Sequence, residues 1–102
     1  MSTFVFRLTP PRPTFAQDMT DEEREIMVRH AAHWQPWVES GQMVILGPVA
    51  DAGGVWGLGV VETDDEQELR AFAGSDPVVT TATGTIEIGK LLRGFVRPRS
   101  AR

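Results

Sequence analysis

Cysteine is absent from the 102 residues. That excludes a disulfide, a thiolate metal site and a cysteine nucleophile, and it fits a reducing cytosol. No apolar run approaches the roughly 18 residues needed to cross a bilayer. The first residues, MSTFVFRLTPPRP, lack the basic start and apolar stretch of a secretory signal. A soluble, cytoplasmic protein without membrane attachment is therefore expected. Ser75 sits in nothing resembling a nucleophile elbow, so serine-hydrolase chemistry has no support.

Basic charge is scarce in the body of the chain and gathered at its end. Residues 93–102 carry Arg93, Arg97, Arg99 and Arg102 and no acid, which makes +4. Residues 1–92 hold the other six cations and all fourteen acids, which makes −8. An acidic body repels phosphate backbones, so nucleic-acid binding is not expected of it. The tail fits a solvated terminus, with contact to an acidic partner as the alternative.

What remains is the balance of an ordinary globular protein, 41% apolar and 24% charged. At this length one domain is expected, over residues 1–92, followed by the basic tail. Phe4-Val-Phe-Arg-Leu8 alternates as a strand does, and Pro10, Pro11 and Pro13 end it in a stiff loop through about Asp18. Thr20 opens a helix with a Thr20/Glu23 capping box, and Gly41 stops it. Pro36 should kink or break its last turn. Met43–Leu46, bounded by Gly47-Pro48, and Val55–Glu62 read as a hairpin around Asp51-Ala-Gly-Gly54. Asp64 can cap a second helix through about Gly74, ended by Asp76-Pro77, and a last strand covers Thr83 to about Leu91. The order β-α-β-β-α-β predicts an α+β, ferredoxin-like fold with a four-stranded antiparallel sheet.

Two helices cover only one face of such a sheet. In the third strand Trp56, Leu58 and Val60 face one way, and Val55, Gly57, Gly59 and Val61 the other. Both sides are apolar or small. The side bearing Trp56, Leu58 and Val60 therefore needs another cover, and a second copy of the chain supplies it most simply. A homodimer through the sheet face is expected.

On the first helix, Met27, Ala31, Trp34 and Val38 fall within roughly 60° of arc and predict the buried stripe. His30 lies roughly 60° from its centre and His33 roughly 120°, where solvent is expected. A boundary imidazole reaches a cleft while one nitrogen stays paired, and it titrates near the pH at which acid–base chemistry is useful. The bland alternative is a hydrogen-bonded edge residue. His30 and His33 share metal-ligand spacing, but no third ligand is evident, so no metal is expected. Asp76 is either the partner of His30 or the local cap of a Ser-Asp-Pro turn. Phe6, Trp34 and Trp56 are candidates to line a ligand pocket. Aromatic residues at these spacings are core residues first, and Trp56 is the better pocket candidate.

These features together resemble the YCII-related family of small dimeric α/β-barrel proteins. The likeness rests on His30 eleven residues before Gly41, on Leu46-Gly47-Pro48 and on Ser75-Asp76-Pro77. Trp56-Gly-Leu-Gly-Val-Val-Glu62 and Met19-Thr-Asp-Glu-Glu23 resemble one subgroup, and the match spans about residues 3 to 91. His33 and Pro36 stand where similar chains often have aromatic and non-proline residues. The resemblance implies a ferredoxin-like subunit whose sheet packs on a partner's to form a barrel, with a histidine–aspartate site at His30 and Asp76. The wider barrel superfamily includes lactone isomerases, dehalogenating lyases and monooxygenases, and fold alone selects none of them.

Two functions are expected to compete. The first is a lyase or isomerase of small molecules without metal or organic cofactor, in which His30 exchanges protons and Asp76 orients it. The second is a non-catalytic barrel that holds a small apolar or aromatic ligand, with His30 as its polar anchor. A purely structural partner of another protein rests on the basic tail alone.

Overall fold

Alternation in the first strand sorts its side chains onto two faces. Phe4, Phe6 and Leu8 are buried, while Val5 and Arg7 between them are exposed. The computed structural model describes residues 1–95 and 97–98, so Arg99 and Arg102 of the expected tail lie outside the described residues. Its elements run β1 (Ser2–Thr9), α1 (Phe15–Asp18), α2 (Asp21–Ser40), β2 (Met43–Asp51), β3 (Gly54–Thr63), α3 (Glu66–Gly74), α4 (Pro77–Thr80) and β4 (Thr85–Lys90). The strands form one antiparallel sheet in the order β2-β3-β1-β4. This is the α+β ferredoxin-like arrangement, with two short helical turns added. None of the described helices is long and apolar enough to cross a membrane.

Local chemistry explains most of the boundaries. Thr20 Oγ1 accepts from the Glu23 amide at 3.1 Å, and Glu23 Oε1 accepts from the Thr20 amide at 2.9 Å, which closes the capping box on α2. Gly41 ends that helix at φ 85°, a left-handed conformation that glycine adopts without steric cost. The helix runs unbroken through Pro36, contrary to the expected break. Buried Trp34 and Trp37 anchor the turns on either side, and tertiary packing outweighs the local penalty. The cap of α3 is Asp65, whose side chain accepts from the Glu68 amide at 2.9 Å, and not Asp64 one residue earlier. Pro77 does more than end a helix: it is the first residue of α4, which Asp76 caps. The expected stiff loop after β1 folds into the turn α1, and the last strand starts at Thr85 rather than Thr83, behind Ala82 at φ 55°.

Strand β2 continues through Gly47-Pro48 to Asp51 instead of stopping there. Proline is tolerated because β2 is an edge strand, with one side free of ladder bonds. A bulge between Met43 and Ile45 buries Met43 and leaves Val44 and Ile45 exposed.

Helices α2, α3 and α4 pack on one face of the sheet. Phe6 of β1 crosses Gly59 so closely that a Cβ there would sit 2.4 Å from the ring. Small residues in β3 therefore make room for the large ones of β1. Phe4, Phe6, Leu8 and Val61 meet Ile26, Trp34 and Trp37 of α2, Leu69 and Ala73 of α3, and Val78 of α4 in one core. Burying each large apolar side chain contributes about 1.5–3 kcal/mol. The buried stripe of α2 differs from the expected one: it follows Ile26, His30, His33, Trp34 and Trp37, while Val38 and Ala31 are exposed. The helix is turned by roughly a quarter turn toward its histidines. Hydropathy counts histidine as polar, but here both imidazoles find partners and are drawn inward.

The opposite face carries Val5, Ile45, Val49, Trp56, Leu58 and Val60, with Arg7 over the Trp56 ring at 4.2 Å. No element among the described residues covers it.

Candidate functional site

The site is built where α2 crosses the start of α4. Asp76 precedes Pro77, so its backbone is extended and its side chain turns back over the helix it caps. Oδ1 accepts from the Val78 amide at 2.9 Å. Oδ2 is met by His30 Nδ1 at 2.7 Å and accepts from Trp34 Nε1 at 2.7 Å. The carboxyl is completely buried, and the His30 side chain is 11% exposed. Sequence therefore placed His30 and Asp76 on different helices, and the fold brings them into direct contact.

Burial is the strongest single influence on Asp76 and pushes its pKa up. The bonds from His30, Val78 and Trp34, with the charge of the imidazole, together outweigh it and hold the carboxyl below its ordinary range. Asp76 is thus an acceptor only, and the hydrogen between it and His30 belongs to Nδ1. In the neutral imidazole that leaves a lone pair on Nε2. No side-chain polar atom among the described residues is buried without a partner. The second nitrogen of His30, which has no partner among the described residues, is therefore not sealed in the core.

His30 also lines a cavity of about 420 Å³. Phe6 and Leu8 form its floor, Met27, His30 and Ala31 of α2 one wall, and Leu46 to Pro48 of β2 with Val55 to Leu58 of β3 another. Pro10, Phe15, Ala16 and Met19 close it from the loop between β1 and α2. Among the described residues, His30 is the one ionisable side chain in this lining. A wider groove of about 620 Å³ lies elsewhere, beside β4 and α3, and contains neither His30 nor Asp76.

The other expected residues separate. Phe6 lines the cavity. Trp56 borders it, but its indole donates to Asp51 Oδ2 at 2.9 Å and its ring lies beneath Arg7 on the uncovered face. Trp34 takes no part in the lining; it is wholly buried behind Asp76. His33, expected in solvent, is half-buried, with Nε2 donating to the Phe72 carbonyl at 2.8 Å and its ring stacked on Phe72 at 4.0 Å. The two imidazoles face different partners, and among the described residues no three His, Cys, Asp or Glu side chains converge. Sequence reasoning missed the bond from Trp34 to Asp76. The spacing held the signal, since His30 and Trp34 are i and i+4 on one helix face.

Fold and site together define a class: a small α+β protein whose buried carboxylate holds a histidine against an apolar cavity. The YCII-related domain matches residues 3–93, and the chain belongs to the YCII-related family. No curated protein sequence matches the chain. Among solved structures it is similar to 5-chloro-2-hydroxyhydroquinone dehydrochlorinase from Burkholderia phenoliruptrix AC1100, solved with 2,5-dihydroxybenzoquinone. That match has a TM-score of 0.65 at 18% identity, and covers 92% of this chain and 96% of the other. At that identity the likeness shows the shared fold.

Proposed function

We propose that this protein is a small-molecule lyase or isomerase in which His30 transfers a proton and Asp76 holds and charges-balances it, with no metal. The observation that carries the reading is the 2.7 Å contact between His30 Nδ1 and a buried carboxylate, made by a histidine that also lines the cavity. Nε2 accepts a proton from an acidic C–H or O–H of the bound molecule. The imidazolium so formed is stabilised by Asp76 and returns its proton to another atom of the substrate, or keeps it while a leaving group departs. A positioned acid–base of this kind contributes about 10²–10⁴-fold in rate. With no ionisable side chain but His30 in the lining among the described residues, the site suits a small, uncharged and largely apolar substrate. The dehydrochlorinase of similar fold gives the lyase side of this proposal added weight, since dehydrochlorination removes a proton and chloride.

Dimerisation completes the proposal. The uncovered face, with Val5, Ile45, Val49, Leu58 and Val60, is the surface on which a second copy packs. Sedimentation should give a dimer, and a monomer at micromolar concentration contradicts this part. The absence of cysteine is in keeping with the cytosol as its compartment.

The experiment is chloride release and product formation from a panel of hydroxylated and chlorinated aromatics, with His30→Ala beside the unaltered protein. Turnover lost in His30→Ala with the fold intact is expected. Unchanged turnover removes His30 from the chemistry. One observation favours a second reading, non-catalytic binding of a small apolar ligand: among the described residues no second acid lines the cavity to protonate a leaving group. Saturable binding across the panel with no product would favour it.

A further inference from the structure

Asp76 Oδ2 has two side-chain donors, and only one of them reaches the cavity. His30 Nδ1 and Trp34 Nε1 both lie 2.7 Å from that oxygen. They come from one face of α2, a turn apart. The indole N–H is a donor only, so this bond has a single polarity. Its ring is fixed by aromatic neighbours on three sides, with centroids 5.1 Å from Phe72, 5.2 Å from Phe6 and 5.8 Å from Trp37. Trp34 is fully buried, and a hydrophobic role alone would be met by phenylalanine or leucine.

We propose that Trp34 is a positioning residue of the acid–base site, which shares Asp76 Oδ2 with His30 and thereby sets both the angle of the imidazole and the strength with which the carboxylate holds its proton. This deepens the catalytic reading and rests on His30 acting as base. Two donors on one carboxylate oxygen use its two lone-pair directions, so the indole leaves His30 a single approach. The indole also draws charge from Oδ2 in a water-free surround, where each bond to a carboxylate counts strongly. A carboxylate shared in this way stabilises imidazolium less than an unshared one, and His30 releases its proton more readily.

The neighbourhood is simple enough to isolate the effect. From other elements, Phe6 of β1 and Phe72 of α3 pack on Trp34, and Val78 of α4 lies in the same core with its amide on Asp76, all uncharged. From α2 itself the titratable group against Trp34 is, among the described residues, His33, edge-on at 5.6 Å and bonded to the Phe72 carbonyl.

The test is an NMR titration of the His30 imidazole in the full chain, comparing the unaltered protein with Trp34→Phe, and using His33→Gln to separate the two imidazole signals. The His30 midpoint should rise by about half a pH unit or more when the N–H is removed. An unchanged or lowered midpoint overturns the proposal and leaves Trp34 as packing. If Trp34→Phe does not fold, the Trp34 indole proton of the unaltered protein decides: it should shift with the same midpoint as His30, and a resonance that ignores that titration overturns the proposal. Neither readout needs a substrate. A shifted midpoint without turnover sinks the catalytic reading and leaves Trp34 tuning a histidine that does no chemistry, whereas turnover with an unshifted midpoint sinks only the role of Trp34.

Discussion

Two clusters of charge are built along α2, and they obey different physics. At its N-terminal end Arg12 bonds Asp18 Oδ1 at 2.8 Å and both oxygens of Glu23 at 2.8 and 2.9 Å. Thr14 adds a bond to Asp18, so the segment carrying Phe15, part of the cavity wall, is strapped to the start of α2. Arg12 and Asp18 side chains are 34% and 52% exposed. At the other cluster Asp76 is fully enclosed, with the His30 imidazole, the Trp34 indole and the Val78 amide as its donors. The first has more formal charge, and the second has less water. Exposed pairs are screened and contribute little, whereas a buried carboxylate deprived of its donors has no solvent to replace them. Burial, rather than the number of charges, marks which cluster is fixed enough for chemistry.

The contrast is broken most severely at Asp76. Asp76→Ala leaves His30 and Trp34 facing an empty, enclosed position and removes the cap of α4. A loss of about 3–5 kcal/mol in chemical denaturation is expected. Asp76→Asn keeps the shape and should lose less, about 1–3 kcal/mol. A cost below that for Asp76→Ala would mean the site is wetter than the fold indicates.

Acid and salt sharpen the contrast next. Both Asp76 and Glu23 have folded pKa values below their unfolded ones, so each contributes stability above the unfolded value that is lost as pH falls through the folded value. For Glu23 the Arg12 hydrogen bonds, with the Thr20 amide, hold the carboxyl at about 2, so its contribution fades from about 4.3 downward. For Asp76 the loss likewise begins below about 3.9. Added salt should blunt the Glu23 contribution and leave that of Asp76 nearly untouched, because enclosed charges are screened little. Acid denaturation of Asp76→Asn and Glu23→Gln at low and high salt separates the two; equal salt sensitivity would remove the distinction.

The smallest effect is expected at Arg12→Ala. Thermal stability should fall slightly and the difference should shrink in about 1 M salt. Faster amide exchange over residues 12–19 should accompany it, since the strap loses its clasp. Undisturbed exchange there would show that Phe15 packing alone holds the segment.

Sequence made some of this legible and hid the rest for definite reasons. The capping box at Thr20 and Glu23 is a four-residue affair and was readable outright. So was the alternation of β1 and β3, from which the helix-covered and uncovered faces followed. His30 and Asp76 were named from boundary position and family likeness, but their contact spans 46 residues and depends on how α4 docks against α2. The rotation of α2 was misread for the same reason: His30 and His33 count as polar until Asp76 and the Phe72 carbonyl are known to be waiting. Trp34 looked like core because it is core, and its N–H bond to Asp76 leaves no trace in a hydrophobic pattern. Asp64 and Asp65 are chemically equivalent caps, and register with α3 alone chose between them.

The central claim is that a buried carboxylate fixes His30 with its hydrogen on Nδ1 and its lone pair on Nε2, facing the cavity. Long-range nitrogen–proton NMR on the imidazole at about pH 8, above the ordinary histidine range, reads this directly. A hydrogen-bearing Nδ1 and a bare Nε2 are predicted. A hydrogen-bearing Nε2 with a bare Nδ1 would contradict the account, because no base would then point at the bound molecule.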